Sequence, residues 1–392
     1  MSFPVRQSDG VVWHKGKSCE KGKTTSLKGL KKTLFTKQAQ WVFEMKVVES
    51  TDEDIKNNSY NNYKNRRKIK MSRKIKWGVL GTANIARKCT IPGMKKAKNC
   101  QLYGIAGRNK EKVDQFQEEF GFEKAYYSLE EMLDDPEIEA VYIPLPNTLH
   151  KEWVLKAAAK GKHILCEKPL SGTEKDVREM IEGCEKAGVV FMEAFAYLHS
   201  PLVTSVKETL KSGVIGKLSF MESIFITPGY TAENIRVRRD TLGGSIYDLG
   251  CYCTSLMLTL FEEEPKEVKA VGHFTEQHID DFASAYFHFD DERRACMVSG
   301  MCSAQRGDRF FLYGTEGTME VPVPFNADGE LHYYVKKGDT CQEIKVDAPD
   351  NYCLEVEQLG ECILEGAAPH VAHEFSLQNA RVMDKILNEI GY

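Results

Sequence analysis

The residues best suited to chemistry in this sequence are Glu167, Lys168 and Pro169, which directly follow the apolar run 163–166. Such a run is typical of a buried parallel strand, and α/β proteins bind their ligands beyond the carboxyl ends of these strands. We expect Lys168 to be partly desolvated there, which would lower its pKa and suit it to proton transfer. A surface turn can also carry Lys-Pro, so the tripeptide needs support from other segments.

A second candidate segment runs from Gly243 to Tyr252 and contains Asp248. Asp248 and Tyr252 are four residues apart, so on a helix they share one face. A tyrosine hydroxyl close to an ammonium group would have a lowered pKa and could exchange a proton with a substrate oxygen, while the carboxylate orients substrate hydroxyls. Alternatively, Tyr252 belongs to the core and Asp248 caps a helix. The favoured prediction is a catalytic group of Lys168, Tyr252 and Asp248.

A loop suited to a dinucleotide follows the first apolar run and comprises Gly81, Thr82, Ala83, Asn84 and Ile85. Compared with the pattern G-x-G-x-x-G/A, Gly81 allows the tight turn and the small Ala83 lets backbone N–H groups approach a pyrophosphate. The following helix N-terminus adds a positive potential. Ala83 replaces the usual second glycine, and a simple strand-to-helix turn could have the same composition.

The end of the second predicted strand helps to choose the cofactor. NAD enzymes place an acidic residue there for the ribose 2′-hydroxyl, whereas 100–110 has none and carries Arg108, which could pair with a 2′-phosphate. We therefore expect NADP, with NAD as the alternative. We also expect two further segments to contact the cofactor. One is a loop made rigid by prolines, with Pro146, Asn147 and His150, and the other contains Glu167 and Lys168. A lone histidine such as His150 is more often structural than catalytic.

The elements that position these residues alternate between short strands and helices in the first half of the chain. Strands are predicted at 75–80, 102–106, 140–143, 163–166 and 189–192, with helices between them, the first of which we expect Pro92 to kink or break. This alternation predicts an α/β Rossmann-type, doubly wound parallel sheet. Later strands at 217–225, 267–274, 283–289, 295–301, 309–314 and 318–321 predict an α+β C-terminal domain with a large, mostly antiparallel sheet.

Composition and charge restrict the class of protein and its organisation. The composition, with 42% hydrophobic and 28% charged residues, predicts a globular protein. The 12 cysteines include no C-x-x-C pair, which predicts a cytoplasmic protein without a metal site. The chain has no long apolar run, so we expect no membrane partner. Residues 1–71 form a basic, aperiodic extension that we expect to be disordered. We do not expect this extension to bind nucleic acid. Met71 could be the natural start of the protein. We expect a dinucleotide-binding domain at 72–195 and a substrate-binding and oligomerisation domain at 196–392, with a last helix able to pack back on the first domain.

From about residue 72 onward the chain resembles the Gfo/Idh/MocA oxidoreductase family. The resemblance is carried by four segments: the Gly81 loop, 146–150, 167–169 and 243–252. Tyr252, where many members have His, is similar to the branch with glucose–fructose oxidoreductase, dimeric dihydrodiol dehydrogenase and NADP-dependent xylose dehydrogenase. Leu198, where relatives often have Arg, and Ser245, in place of a third Gly, are departures that leave the substrate open.

The resemblance implies Lys168 and Tyr252 at the reacting carbon and supports NADP. We therefore expect an NAD(P)-dependent oxidoreductase that transfers a hydride between nicotinamide and a sugar, polyol or cyclic diol. One alternative is an epimerase or glycosidase-like enzyme with a tightly bound, recycled cofactor. Another is a non-catalytic NADP-binding regulator, but a regulator would not need both Lys168 and Tyr252. A homodimer or higher oligomer is expected, because antiparallel sheets with one apolar face often pair.

Overall fold

The computed structural model describes residues 73–392, so the predicted basic extension and the proposed start at Met71 lie outside the described residues. The first sheet has six strands: β1 (Ile75–Leu80), β2 (Cys100–Ala106), β3 (Lys124–Tyr126), β4 (Ala140–Ile143), β5 (His163–Glu167) and β6 (Phe191–Ala194). They are all parallel and lie in the order β3-β2-β1-β4-β5-β6. The predicted doubly wound sheet is confirmed, although the short, half-exposed β3 was missed.

The connecting helices begin and end largely where their capping residues predict. They are α1 (Ile91–Lys96), α2 (Lys110–Phe120), α3 (Leu129–Asp134), α4 (His150–Ala159) and α5 (Glu174–Ala187). Thr173 caps α5 by accepting a hydrogen bond from the backbone N–H of Asp176 at 3.2 Å. Gly121 ends α2 in the left-handed region at φ 79°, which glycine adopts without steric cost.

Pro92 does not break the first helical segment, so of the predicted kink or break the break is excluded. A π-helical turn, Ala86–Thr90, runs directly into α1, and the N–H of Ile91 bonds to the carbonyl oxygen of Ala86 five residues earlier. Pro92 therefore lies in the first turn of a new hydrogen-bond register, where its missing N–H costs little.

The second sheet has eight strands: β7 (Leu218–Pro228), β8 (Glu267–Phe274), β9 (Asp280–His288), β10 (Arg294–Ser303), β11 (Gly307–Gly314), β12 (Thr318–Val321), β13 (Gly329–Lys337) and β14 (Thr340–Ala348). Their order is β14-β13-β12-β11-β7-β10-β9-β8, and only β7 and β10 pair in parallel. The predicted mostly antiparallel sheet is confirmed. The predictions missed β13 and β14, and β14 lies at the sheet edge with mostly exposed side chains.

Four further helices accompany this sheet: α6 (Pro201–Lys211), α7 (Cys251–Phe261), α8 (Asn351–Glu365) and α9 (His373–Ile390). α9 reaches back to α5, where the backbone N–H of Glu174 donates to Asp384 at 3.1 Å. α8 packs so closely on α1 that a Cβ on Gly93 would lie 2.8 Å from the backbone of Tyr352 and Cys353. None of the helices in 73–392 has the length and apolar character needed to cross a bilayer.

Candidate active site

Lys168 lies at the carboxyl end of β5, and the fold brings Asp248 and Tyr252 to it. The Nζ of Lys168 donates to the carbonyl oxygen of Asp248 at 2.7 Å and lies 3.5 Å from its Oδ1. The same ammonium group lies 4.5 Å from the centroid of the Tyr252 ring. The Lys168 side chain is 10% exposed and that of Asp248 16% exposed, so both remain reachable from solvent. The three predicted catalytic residues therefore form one cluster.

Two adjacent glycines explain how the chain reaches this cluster. A Cβ on Gly243 would lie 2.6 Å from the carbonyl oxygen of Arg236, and Gly244 has φ 124° and donates to that same oxygen at 2.8 Å. Only glycines allow this approach. The segment around Arg236 is thereby packed against the π-helical turn Ile246–Gly250 that carries Asp248.

Arg236 is a component of the site that we did not assign from the sequence. Its Nε donates to Oδ2 of Asp248 at 2.8 Å, and its guanidinium group lies 5.4 Å from the ring of Tyr230. Burial acts to raise the pKa of Asp248, but Lys168 and Arg236 together hold it below its ordinary value. Asp248 is therefore an ionised carboxylate with two cationic partners.

The half-buried ring of Tyr252 is held by aromatic packing. Four aromatic rings have centroids 5.2–5.9 Å from its own, and they belong to Phe195, Tyr197, Phe225 and Phe325. The side-chain amide of Asn326 lies 3.4 Å from its phenolic oxygen and donates to it. This arrangement fixes the hydroxyl group while leaving its ring in contact with Lys168.

The predicted pKa directions of Lys168 and Tyr252 were both wrong. Burial acts to lower the pKa of Lys168, but Coulombic interactions with Cys251, Tyr252, Asp248 and Glu167, in that order of size, outweigh it and raise the pKa above its ordinary value. Burial also raises the pKa of Tyr252 to about 12, and the opposing effect of Lys168 is smaller. At neutral pH, Lys168 is an ammonium ion and Tyr252 is a neutral phenol that can donate a proton.

The predicted dinucleotide loop forms the turn between β1 and the π-helical turn after it. Gly81 has φ 124°, its N–H donates to Ala106 at 2.9 Å, and an added Cβ would lie 3.2 Å from Leu145. Thr82, Ala83 and Ile85 are half-buried and Asn84 is exposed, so their backbone is accessible. This glycine-dependent cradle beside a helical N-terminus fits the phosphates of a dinucleotide.

Arg108 is exposed at the end of β2, next to this loop. Gly107, which precedes it, would place a Cβ 3.5 Å from the side chain of Thr82. Within 73–392, no carboxylate forms an ion pair with Arg108, whereas nearby Arg87 pairs with Glu119 at 2.6 Å. An exposed guanidinium group that has no carboxylate partner within 73–392 is suited to an anionic ligand.

The loop that contains Pro146, Asn147 and His150 is fixed mainly by backbone contacts. The ring nitrogens of the fully buried His150 lie 2.8 Å from the carbonyl oxygen of Leu145 and 3.0 Å from that of Pro169. Asn147 donates to the carbonyl oxygen of Leu242 at 3.0 Å, and Pro146 is half-buried. His150 thus joins the loop to the turn after Lys168.

Two buried acidic residues that were not predicted, Glu193 and Glu355, accompany the predicted and half-buried Glu167. Burial raises the pKa of Glu167, Glu193 and Glu355, that of Glu193 to about 7. Tyr142 donates to Glu167 and accepts a hydrogen bond from Thr90 at 2.9 Å. In the part of the chain that the structure describes, no group of three or more His, Cys, Asp or Glu is arranged to hold a metal ion.

Replacing Glu193 by Gln should remove a pH-dependent loss of stability. Between its ordinary pKa of 4.5 and its folded value of about 7, Glu193 is ionised when unfolded but protonated when folded, so the free energy of unfolding falls as pH rises through this window. We expect Glu193→Gln to be more stable than the wild type by about 2–3 kcal/mol above this window and nearly equal below it. Urea unfolding on both sides of the window measures this, and parallel pH dependence of both proteins would contradict it.

A parallel sheet with a dinucleotide loop and a Lys–Asp–Tyr cluster at one strand end defines an NAD(P)-binding oxidoreductase. Residues 75–195 match the model described as "Oxidoreductase family, NAD-binding Rossmann fold", and 203–320 match the GFO/IDH/MocA C-terminal domain. The chain belongs to the Gfo/Idh/MocA oxidoreductase family, which confirms the resemblance predicted from its motifs.

Individual relatives agree with this assignment. A D-xylose 1-dehydrogenase (NADP(+)) of Haloferax volcanii is 33% identical over 79% of this chain and 95% of its own length. A trans-1,2-dihydrobenzene-1,2-diol dehydrogenase of Xenopus laevis is 29% identical over 81% of this chain and 98% of its own length. Among solved structures, a 3-ketoreductase from Actinomadura kijaniata in complex with NADP and TDP-benzene has a TM-score of 0.77, with 25% identity over 81% of this chain and 98% of that chain.

Proposed function

We propose that this protein is an NADP-dependent dehydrogenase that oxidises a carbinol carbon of a sugar, polyol or cyclic diol, and reduces the corresponding carbonyl in reverse. The observation that carries the proposal is the cluster of Lys168, Asp248 and Tyr252 at the carboxyl end of β5, in the same sheet as the dinucleotide loop. Bound NADP supplies the acceptor or donor of the hydride. The substrate class is supported by the relatives named for D-xylose and for a cyclic diol.

Tyr252 exchanges the proton in this proposal. As a neutral phenol it donates to the developing alkoxide during reduction, and as a phenolate it accepts the hydroxyl proton during oxidation. Lys168, held as an ammonium ion over the Tyr252 ring, stabilises the phenolate form. Asp248, kept ionised by Lys168 and Arg236, accepts hydrogen bonds from substrate hydroxyls and orients the reacting carbon.

The proposed cofactor-binding residues lie in the loops at the carboxyl ends of the parallel strands. Backbone N–H groups of Thr82, Ala83, Asn84 and Ile85 would bind the pyrophosphate, and Gly81, whose own N–H donates to Ala106, would allow the tight turn. Arg108 would bind the 2′-phosphate. Pro146, Asn147 and Glu167 would border the nicotinamide with Lys168, and His150 would hold the loop that carries the first two. The ranges 72–195 and 196–392 would then serve as dinucleotide-binding and substrate-binding domains.

Replacing Arg108 by Ala should weaken NADP binding by about 10-fold to 100-fold and leave NAD affinity nearly unchanged. Only NADP presents a phosphate to this side chain, and a charge-assisted hydrogen bond contributes about 1.5–3 kcal/mol. Dissociation constants for both cofactors measure the effect. Arg87→Ala is the matched control, because Arg87 is an exposed arginine that already pairs with Glu119. Equal losses of NADP and NAD affinity in Arg108→Ala would contradict the assignment.

We also propose a cytoplasmic location, because the cysteines within 73–392 are free thiols. We further propose a homodimer formed through the open face of the second sheet. The sheet register places seven apolar side chains on this face, with Glu222, Arg294 and Arg309 beside them: Phe220, Ile224, Val271, Tyr286, Val298, Phe311 and Tyr313. Val271 is 70% exposed and Tyr286 42% exposed, which is costly for a monomer. Sedimentation equilibrium of the full chain tests the dimer, and a monomer at all concentrations would contradict it.

A substrate panel tests the proposed activity. D-xylose, myo-inositol and trans-1,2-dihydrobenzene-1,2-diol are each mixed with the protein and NADP, and the absorbance of reduced nicotinamide is followed. We expect turnover with at least one of these substrates. Tight NADP binding without turnover on any of them would contradict the proposal and favour a non-catalytic role.

A further inference from the structure

We propose that Asn326 is a positioning residue for proton transfer, whose side-chain amide binds the phenolic oxygen of Tyr252 and leaves the Tyr252 O–H free to point at the substrate. The inference rests on the proposed role of Tyr252. Asn326 lies between β12 and β13, outside every segment that carries the family resemblance. It therefore adds a residue that the motifs do not contain.

The amide of Asn326 faces Tyr252 through its Nδ2, while its Oδ1 is buried without a hydrogen-bond partner within 73–392. Nδ2 of Asn326 lies 3.4 Å from Oη of Tyr252, and within 73–392 this is the sole hydrogen bond at that oxygen. An amide N–H can only donate, so the phenolic oxygen accepts and its own proton remains available to another acceptor. The substrate oxygen is the acceptor that the proposed reaction supplies.

The backbone of Asn326 is held in a conformation that few residues adopt. Its φ is 63°, in the left-handed region, where Asn is enriched over other non-glycine residues. Residues in such conformations persist when their surroundings fix them, and they concentrate at functional sites. The conformation aims the side chain of Asn326 at Tyr252.

Bonds on both sides of Asn326 fix this turn. The N–H of Phe325 donates to Oδ2 of Asp308 at 2.5 Å, and Nη2 of Arg306 donates to the carbonyl oxygen of Phe325 at 2.9 Å. Arg306 and Asp308 are joined by two hydrogen bonds of 2.8 and 2.7 Å, and the Asp308 side chain is only 1% exposed. A paired, buried carboxylate thus holds one side of the turn.

The other side of the turn is held from α8. Nδ2 of the buried Asn351 donates to the carbonyl oxygen of Ala327 at 3.3 Å, and the N–H of Ala327 donates to Pro324 at 3.2 Å. These bonds fix the backbone from which the Asn326 amide reaches Tyr252, so less ordering is needed when the site acts. The amide is part of a preorganised site.

The sign of the effect on Tyr252 follows from the direction of donation. A hydrogen bond donated to the phenolic oxygen stabilises the charged phenolate more than the neutral phenol, so it lowers the pKa of Tyr252 and partly offsets burial. Lys168 acts in the same direction from the face of the ring. Asn326 acts at the oxygen that exchanges the proton.

The test measures the ionisation of residue 252 directly, without substrate or cofactor. The full chain is labelled with 3,5-difluorotyrosine at position 252, whose phenol ionises nearer neutrality, and its fluorine resonance is followed against pH. Asn326→Gly removes the amide but keeps the left-handed backbone accessible. We expect this variant to raise the pKa of the labelled phenol by about 0.5–1. Asn326→Asp should raise it further, because a carboxylate repels the phenolate.

The matched control is Glu292→Gly, which changes another left-handed residue, at φ 69°, in the turn between β9 and β10. It should leave the titration unchanged. Identical titrations of the label with Asn, Gly and Asp at position 326 would overturn the proposal, as would an equal change in Glu292→Gly. The titration needs no turnover, so its result does not depend on the proposed function. The proposed function is tested separately by the turnover of a Tyr252→Phe variant.

Discussion

Replacing Tyr252 by Phe should lower turnover by about 10²–10⁴ while NADP affinity changes little. The substitution keeps the ring that packs against Phe195, Phe225 and Phe325 and removes only the hydroxyl group that exchanges the proton. The measurement is the steady-state rate with the substrate that the panel identifies, together with the NADP dissociation constant.

Tyr247→Phe is the matched control for this experiment. Tyr247 is a buried tyrosine five residues earlier, and its hydroxyl group donates to the carbonyl oxygen of Gly172 at 3.2 Å. Loss of that hydroxyl should cost some stability and leave turnover close to the wild-type value. If the two variants turn over equally fast, Tyr252 is a packing residue and the proposed mechanism is wrong.

Lys168→Met should also lower turnover by about 10²–10⁴, with the fold retained. Methionine fills a similar volume but removes the charge that stabilises the Tyr252 phenolate and the hydrogen bond to Asp248. The pH dependence of the remaining rate should move to higher pH, because the phenolate is then harder to form. Steady-state rates across pH, with circular dichroism to check folding, measure both effects.

Lys162→Met separates this role from the general cost of losing a buried lysine. Lys162 is 5% exposed, precedes the other end of β5, and donates to the carbonyl oxygens of Asp135 and Ile138 at 2.7 and 2.8 Å. Its loss should destabilise the protein without changing the pH dependence of turnover. Near-normal turnover in Lys168→Met would remove Lys168 from the mechanism.

Sequence patterns were sufficient to predict the fold class because hydrophobic periodicity is a local signal. The strand β4 and the cap of α5 at Thr173 were found from the apolar run and the capping side chain alone. The edge strand β14 was missed because its pairing with β13 is supplied by the backbone, while its side chains are mostly exposed. The absence of a break at Pro92 was not foreseen, because the π-helical turn before it leaves no clear sequence signal.

In the candidate site, too, features with a local sequence signal were predicted and features without one were missed. Lys168 and the segment with Asp248 and Tyr252 were recognised because each lies in a motif, and the structure brings them into contact. The pKa directions were wrong because they depend on burial and on the balance of neighbouring charges, which no local pattern encodes. Asn326 was missed because its contact with Tyr252 joins residues 74 positions apart.

The most direct test of the central claim is to follow deuterium from the carbinol carbon into the cofactor. The substrate that the panel identifies is labelled with deuterium at the carbinol carbon that is oxidised and mixed with the protein and NADP, and the NADPH released is examined by mass spectrometry. The proposed dehydrogenase predicts one deuterium in NADPH, and its rate of appearance should fall in Tyr252→Phe. NADPH without deuterium, or turnover of the substrate with no NADPH released, would contradict the proposed function.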